Sequence, residues 1–527
     1  MRSGPTGTQM MLTPRPTVAS MRDMRYRVTT LGCRVNHAET RELESVLQAR
    51  GLVRACDGAP ADLEVIHSCS VTGSAAAKSR QAIRRARRRQ ANLDWSADLQ
   101  EAVPAVEPFR TTPGTPAFSR SPEVIVSGCF GATNPEEAAQ LAGGPDRVIQ
   151  HESDDGTALA QRLARRVDQW LESRRTHPSL RTPVPESCRQ RTRSLPVVTP
   201  RPSAGSHVRA ELKIQDGCDA HCTFCIIPRI RRTLRSKTIP DTVREARQLV
   251  ELGHREIVLT GIFMGAYGHE TALRRRQDRS VGTPLADLLD AVAHVPGLAR
   301  VRLSSMEPGD VSEALLDAIE ANQPVVVPHL HLPLQSGSDS VLARMNRQYR
   351  VGEYLEMIDK VNSALTTRDG LGPAITTDII CGFPGETDED FERTAEIASR
   401  VGYLHMHVFP YSARRGTAAA RWKDRFVGAP VTRARVRRLI DLENAPADGL
   451  SIRFRRRLLG RTVRVIIEQS DPARLGAMTG RCDHYALLTV ITDRPRGALF
   501  EAEVTDVTAQ RTIARPLGAR VPLPLFA

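Results

Sequence analysis

Three times between residues 25 and 145 a short apolar run gives way to a cysteine and then to helical spacing. Arg25-Tyr-Arg-Val-Thr-Thr30 reads as a strand and leads to Gly32-Cys33. Leu43, Val46 and Leu47 then repeat with a helical period that stops at Gly51. Leu63-Glu-Val-Ile-His67 leads to Ser68-Cys69 and a basic helix over about 75–89. Glu123-Val-Ile-Val-Ser127 leads to Gly128-Cys129 and a helix starting at Pro135. Consecutive β-α units place their strands parallel through right-handed crossovers. The three cysteines are therefore expected at the carboxyl ends of neighbouring strands, the edge on which open α/β sheets bind ligands.

From His207 to about Asp441 the alternation resumes. Strands are predicted at 210–215, 256–260, 300–304, 325–332, 374–381 and 404–409. Helices are predicted at 241–252, 312–322, 338–346, 351–365 and 388–400, with another marked by Leu285, Leu288, Leu289 and Val292. Six strands with helices between them suit a partial (β/α)6 barrel. Beyond Arg453 the segments 461–468, 485–491, 497–504 and 512–514 are strand-like and carry no helical pattern. They predict a small antiparallel β-barrel of a kind that binds nucleic acid. The fold class is thus α/β: an N-terminal three-layer α/β domain (25–175), the central partial barrel (207–445) and the C-terminal barrel (446–527). Residues 1–24, 89–121 and 176–206 lack any period; they read as a disordered tail, a surface insertion and an interdomain linker.

Composition narrows the setting. No apolar stretch reaches the about 20 residues a membrane helix needs, and the first residues have no apolar h-region. A cytoplasmic location without membrane attachment is expected, and thiols stay reduced there. The 10 cysteines then read as ligands or bystanders rather than disulfides. A formal net charge of +14 suits a polyanionic partner such as nucleic acid, although an Arg- and Ala-rich composition also follows from genome base bias.

The sharpest chemical signal is Gly217-Cys218-Asp-Ala-His-Cys222-Thr-Phe-Cys225, a CxxxCxxC run directly after the first strand of the predicted barrel. Three thiolates at this spacing can hold three irons of a [4Fe-4S] cluster and leave the fourth open. Zinc is the other reading. It requires a fourth ligand, for which His221 stands next to Cys222. The barrel context favours the cluster.

This run resembles that of the radical S-adenosylmethionine (SAM) superfamily. The resemblance implies that the cofactor's methionine moiety chelates the open iron, and that an electron from the cluster releases a 5′-deoxyadenosyl radical. It also implies that Phe224 lies beside the cofactor's adenine, for which a plain packing role is the alternative. The contexts of Cys33 (Thr30-Leu-Gly-Cys-Arg-Val-Asn-His-Ala-Glu-Thr40), Cys69 (Ser68-Cys-Ser-Val-Thr72) and Cys129 (Val126-Ser-Gly-Cys-Phe-Gly131) are similar to the N-terminal domain of the methylthiotransferase family. There such cysteines hold an auxiliary cluster, whose free iron holds or passes the sulfur. Two [4Fe-4S] clusters and SAM are therefore the expected cofactors. Leu259-Thr-Gly261, Arg302-Leu-Ser-Ser-Met-Glu-Pro308, His331-Leu-Pro-Leu-Gln-Ser-Gly-Ser338, Met345-Asn-Arg347, Asp378-Ile-Ile-Cys-Gly-Phe-Pro-Gly-Glu386 and Phe409-Pro-Tyr-Ser412 match the family in order. Thr260, Gly261, Ser305 and Glu307, at strand ends, are the candidate cofactor contacts. Turn or cap roles are their alternative.

Leu334-Gln-Ser-Gly-Ser-Asp339 followed by Met345-Asn-Arg looks like the tRNA branch of the family rather than the branch that modifies a ribosomal protein. Within it, Thr30–Asn36 and Ile214-Gln-Asp-Gly-Cys218 are similar to the type acting on N6-threonylcarbamoyladenosine beside the anticodon; the alternative substrate is N6-isopentenyladenosine. The C-terminal barrel resembles the family's TRAM module, with Arg453, Arg455, Arg456, Arg457 and Arg461 as candidate phosphate contacts. Implied partners are a tRNA anticodon loop, whose bases can leave their stack, and an electron donor of the reductase, flavodoxin or ferredoxin type. A monomer is expected. Where the family has Tyr-x-Arg-Gly-Arg, this chain has Arg229-Ile-Arg-Arg-Thr233, so a loop needing positive φ would have to be rebuilt. Cys56, Cys188, Cys381 and Cys482 have no partners at useful spacing. A reading of another class is a non-catalytic iron–sulfur RNA-binding regulator, which would not cleave the cofactor.

Overall fold

The computed structural model describes residues 24–56, 58–89, 122–151, 158–176, 208–277 and 282–518. The sequence readings of a tail, of an insertion beyond Arg89 and of a linker beyond Thr176 fall outside these residues. The chain forms two compact units. The first takes in residues up to Thr30, Thr40–Ser68 and Ser79–Ser194; the second takes in Leu31–Glu39, Cys69–Lys78 and everything from Leu195.

The first unit is built on a five-stranded sheet in the order β2-β1-β3-β4-β5. Its strands are β1 (Arg25–Thr30), β2 (Val53–Arg54), β3 (Leu63–Ser68), β4 (Glu123–Gly128) and β5 (Val148–Ile149), and every pairing is parallel. β3 and β4 are buried along their whole length, as parallel strands covered on both faces are. Leu63, Val65 and Ile125 pack with Leu43, Leu47, Val167 and Trp170 from the helices. Ser68 and Gly128 are register partners. Gly128 has φ +87°, and a Cβ there would meet Ser68 O at 2.3 Å, so only glycine fits. A cysteine follows each of the two in sequence.

In the second unit, β6 (Arg209–Asp216), β8 (Glu256–Gly261) and β9 (Arg300–Leu303) run parallel, and the short β7 (Arg235–Ser236) adds antiparallel to β6. β10 (His329–His331), β11 (Ala374–Cys381) and β12 (His405–Pro410) form a second parallel sheet. Bridges Val301↔Val326 and Ser305↔His331 join the two sheets into a six-stranded partial barrel. The strand predicted at 325–332 is shorter because Pro324 and Pro328 offer no N–H to a ladder. Side chains alternate along each strand. Leu212, Ile214, Leu259, Leu303, Leu330 and Ile375 pack outward on the helices, which turns Lys213, Thr260, Arg302, His331 and Asp378 inward.

The C-terminal strands β13 (Thr462–Ser470), β14 (Ala477–Cys482), β15 (Leu487–Ile491), β16 (Leu499–Val507) and β17 (Thr512–Pro516) close a barrel in the order β13-β14-β15-β17-β16. Three features depart from the sequence reading, the first being β14, which the sequence pattern does not predict as a strand. One pairing, β15 with β17, is parallel. A helix, Leu450–Arg456, stands where helical pattern was read as absent, because Ile452 and Phe454 are buried within an Arg-rich run. The β14–β15 turn carries Asp483 and Tyr485 to the amino end of the central barrel. There Tyr485 stacks on His329 (centroids 4.3 Å), and Asp483 Oδ1 lies 2.7 Å from Arg300 Nε. Arg300 and Arg302 are fully buried and share Glu256 at 3.1 and 2.9 Å. Burial alone raises the Glu256 carboxyl, but Arg302, Arg300 and Arg209 together bring it down to about 2.

Candidate functional site

At the carboxyl end of β6 the chain turns sharply through Gly217 (φ +83°), where a Cβ would lie 2.1 Å from Thr233 O. That turn delivers Cys218, whose N–H donates to Arg231 O (3.1 Å) while its Sγ accepts from Ala220 N (3.4 Å). His221 has φ +54°, and its carbonyl accepts from Asn346 Nδ2 at 3.1 Å. Thr223 is clamped by Met345 O and Arg344 O at 3.0 and 2.8 Å. The CxxxCxxC loop is thus held by the segment 344–347 and not by its own sequence alone.

Burial pushes all three thiols up: Cys218 and Cys222 in direction, Cys225 to about 12. Neutral thiols bind metals poorly, so the loop needs a strongly cationic centre to draw the thiolates out. Among the described residues, the one trio of metal-capable donors within 4.8 Å of one another is His331, Asp378 and His407, and not these cysteines. Sulfurs sharing one zinc would stand within about 4.6 Å, twice a Zn–S bond. The donor set therefore fits a multi-iron cluster better than a single ion.

Sequence reasoning missed Arg347 as a site residue. Its Nη1 donates to Cys222 Sγ at 3.2 Å and its Nη2 lies 2.6 Å from Glu307 Oε1. Its only trace in the sequence is the Met345-Asn-Arg347 motif. The candidate Glu307 is buried and paired with Arg347 and, at 3.5 Å, with Arg274. Asp310 lies behind it; burial and the Glu307 charge push its carboxyl up to about 7. Thr260 is buried on β8, and Gly261 ends that strand against Gln215, whose Oε1 accepts from Phe263 N at 2.8 Å. Ser305 is exposed, opposite His331. Phe224 lies edge-on to Phe383 (centroids 6.3 Å), the packing contact that is the alternative to a place beside the adenine.

Of the other three cysteines, the structure brings Cys33 and Cys69 together. A Cβ on Gly32 (φ +112°) would lie 2.8 Å from Cys69 Sγ. Cys33 is exposed and Cys69 buried. Burial raises the Cys69 thiol, with Arg414 acting in the opposite direction. Cys129 belongs to the first unit, is buried, and has its Sγ 4.0 Å from His151 Nε2. Arg232, which replaces the family's glycine, does not adopt positive φ, so that departure strains nothing.

The candidate phosphate contacts divide. Arg453, Arg456 and Arg457 are exposed. Arg456 donates to Ala447 O (2.7 Å), and Arg457 lies over Phe454. Arg455 donates to Thr508 O and Ala509 O (2.9 and 3.0 Å), and Arg461 is tied to Asp369. No helix among the described residues is long and apolar enough to cross a membrane.

Residues 212–398 match the radical SAM superfamily, and residues 25–99 match the Uncharacterized protein family UPF0004. The chain is 34% identical over 430 residues to the threonylcarbamoyladenosine tRNA methylthiotransferase MtaB of Bacillus subtilis (strain 168), covering 82% of each. It is 32% identical over 467 residues to the MtaB of Thermotoga maritima, covering 87% of this chain and 89% of that one. It is also 32% identical over 471 residues to the tRNA-2-methylthio-N(6)-dimethylallyladenosine synthase of Mycolicibacterium smegmatis, covering 89% and 81%.

Proposed function

The chain belongs to the radical SAM tRNA methylthiotransferase family, and from that premise we propose that it adds a 2-methylthio group to N6-threonylcarbamoyladenosine next to the anticodon. The observation that carries the chemistry is the three-thiol loop, buried at Cys218 and half-buried at Cys222 and Cys225, at the carboxyl face of a partial barrel, the face on which such barrels act. Cys218, Cys222 and Cys225 hold one [4Fe-4S] cluster; Cys33, Cys69 and Cys129 hold a second. Supporting the second are the strand ends after which Cys69 and Cys129 follow and the closeness of Cys33 to Cys69. Bound there, the clusters and SAM supply a methyl group, a sulfur site and a carbon radical able to take hydrogen from a C–H bond. The chain's own residues do the rest. Arg347 directs positive charge at Cys222, as hydrogen bonds to cluster sulfurs tune such centres. Thr260, Gly261 and Ser305 line the strand ends where the cofactor would lie. Phe224 closes one side.

The nucleoside is argued from Thr30-Leu-Gly-Cys-Arg-Val-Asn36 and from MtaB relatives at 34% and 32% identity. Exposed Arg453, Arg456 and Arg457 meet phosphates of the tRNA. A flavodoxin-, ferredoxin- or reductase-type donor supplies electrons, and the chain works as a monomer in the cytoplasm. Mass spectrometry of tRNA nucleosides from cells lacking the protein tests this reading. Loss of 2-methylthio-N6-threonylcarbamoyladenosine alone is expected; loss of the methylthio-isopentenyl form instead transfers the assignment to the other nucleoside.

A further inference from the structure

Polar groups fill one inward face of the central barrel, and the proposed cluster sites use none of them. His329 Nε2 and His331 Nδ1 both reach Thr376 Oγ1, at 3.1 and 2.9 Å, and His331 Nε2 lies 3.3 Å from Asp378 Oδ1. A hydroxyl has one proton to give. The order that gives each of these contacts a donor and an acceptor runs from His329 N–H to Thr376, from the Thr376 hydroxyl to His331, and from His331 N–H to an ionised Asp378. His329 Nδ1 is then the nitrogen without a proton, and it is the one buried without a partner. Burial alone raises the Asp378 carboxyl, but His331, His407 and Arg34 together lower it. Beyond this ordered chain stand two side chains whose hydrogen-bonding capacity is left open. Arg34 donates to the Tyr485 hydroxyl through Nη2 (3.2 Å) and makes no other hydrogen bond among the described residues. His407, exposed on β12 opposite Asp378, makes none. Ile380, two residues beyond Asp378 on the same face, packs against the same apolar cluster around Phe383 as Phe224 of the cysteine loop does. Asp378 therefore lies about 7 Å along the strand from a residue that shares this cluster with the loop.

We propose that Arg34 and His407, with Asp378 beside them, form the subsite for the side arm of the modified adenosine: the guanidinium and imidazole N–H groups take its carboxylate, and Asp378 takes a ureido N–H. This deepens the reading of the nucleoside given above and rests on it. The arm of N6-threonylcarbamoyladenosine carries both a carboxylate and N–H donors, the complement of this set; an isopentenyl arm carries no polar group. Arg34 supplies the charge and the His407 imidazole an N–H. His331, Asp378 and His407 stand close enough together for a metal ion. The charge of Arg34, which acts on both Asp378 and His407, opposes a second cation there.

The test uses the cluster-loaded enzyme and anticodon stem-loops bearing threonylcarbamoyladenosine, its methyl ester, or isopentenyladenosine, read by kcat/KM and by fluorescence anisotropy. For the wild-type enzyme, the ester should lose about 10–100-fold relative to the acid, the range for a hydrogen bond to a charged group. The isopentenyl loop should lose about 10⁴-fold, as apolar analogues do in sites built for polar groups. His407→Leu and Arg34→Gln should each lower kcat/KM for the acid by more than for the ester. Because Arg34 also braces Tyr485, iron content and circular dichroism accompany that variant, and the wild-type acid-to-ester ratio needs no variant at all. Equal turnover of acid and ester by the wild-type enzyme, or equal losses on both by the variants, overturns the subsite while leaving the nucleoside assignment standing. Turnover of the isopentenyl loop with neglect of the threonylcarbamoyl loop overturns the assignment itself.

Discussion

The two cysteine triplets are presented by the fold in different ways. Cys218, Cys222 and Cys225 share a single eight-residue loop, with Cys218 buried and the other two half-buried, and Cys222 accepts a hydrogen bond from the Arg347 guanidinium. Cys33, Cys69 and Cys129 come from three separate β-α connections, with Cys33 exposed while the other two are buried. A contiguous loop in an apolar setting suits a centre that must exclude water around a reactive radical. A set with an exposed member suits a centre that must exchange sulfur with its surroundings. On this account one triplet generates the radical and the other delivers the sulfur.

The sharpest way to break that division is to remove one member of each. Cys222→Ala should reduce 5′-deoxyadenosine formation to background. Cys69→Ala should retain that cleavage and lose methylthiolation, both read by liquid chromatography with mass spectrometry. Equal loss of cleavage in both variants would erase the distinction. A smaller effect is expected at Arg347. Arg347→Met removes the donor to Cys222 and one partner of buried Glu307, so cleavage should fall about 10–100-fold, as with other outer-shell partners of metal sites. Stability should fall by up to about 3 kcal/mol, measured by thermal melting of the anaerobic protein. The matching change on the other triplet, His151→Phe beside Cys129, should leave cleavage unchanged and slow only methylthiolation.

The last contrast lies away from both triplets and is read in stability alone. Glu256 titrates at about 2 in the folded chain against 4.5 when unperturbed. Its folded value is depressed, so its contribution is complete above pH 4.5 and disappears as pH falls toward 2. The full contribution is roughly 3 kcal/mol. Melting temperature against pH should show that slope, and Glu256→Gln should flatten it.

Much of this was legible in the sequence because the signals were local. Val351–Leu365 and Ala374–Cys381 match their predicted bounds, and the repeated strand–cysteine–helix unit placed Cys33, Cys69 and Cys129 at strand ends. What stayed hidden depends on contacts distant in sequence or on broken periodicity. Arg300-Val-Arg-Leu303 alternates like a half-exposed strand, yet all four residues are buried, because Glu256 and the β14–β15 turn cover the arginines. β14, Ala477–Cys482, has Gly480 and Arg481 where a regular strand would alternate. The insertion of Tyr485 between His329 and Arg34 joins positions with no local pattern in common. Arg347 is one arginine among many until its distance to Cys222 is known.

Iron and acid-labile sulfide analysis of the anaerobically reconstituted protein, beside its Cys33→Ala/Cys69→Ala/Cys129→Ala variant, tests the two-triplet account most directly. About eight irons per chain are expected for the wild type and about four for the variant, with the variant still cleaving SAM. A wild-type protein that holds only four irons, or a single zinc, contradicts it.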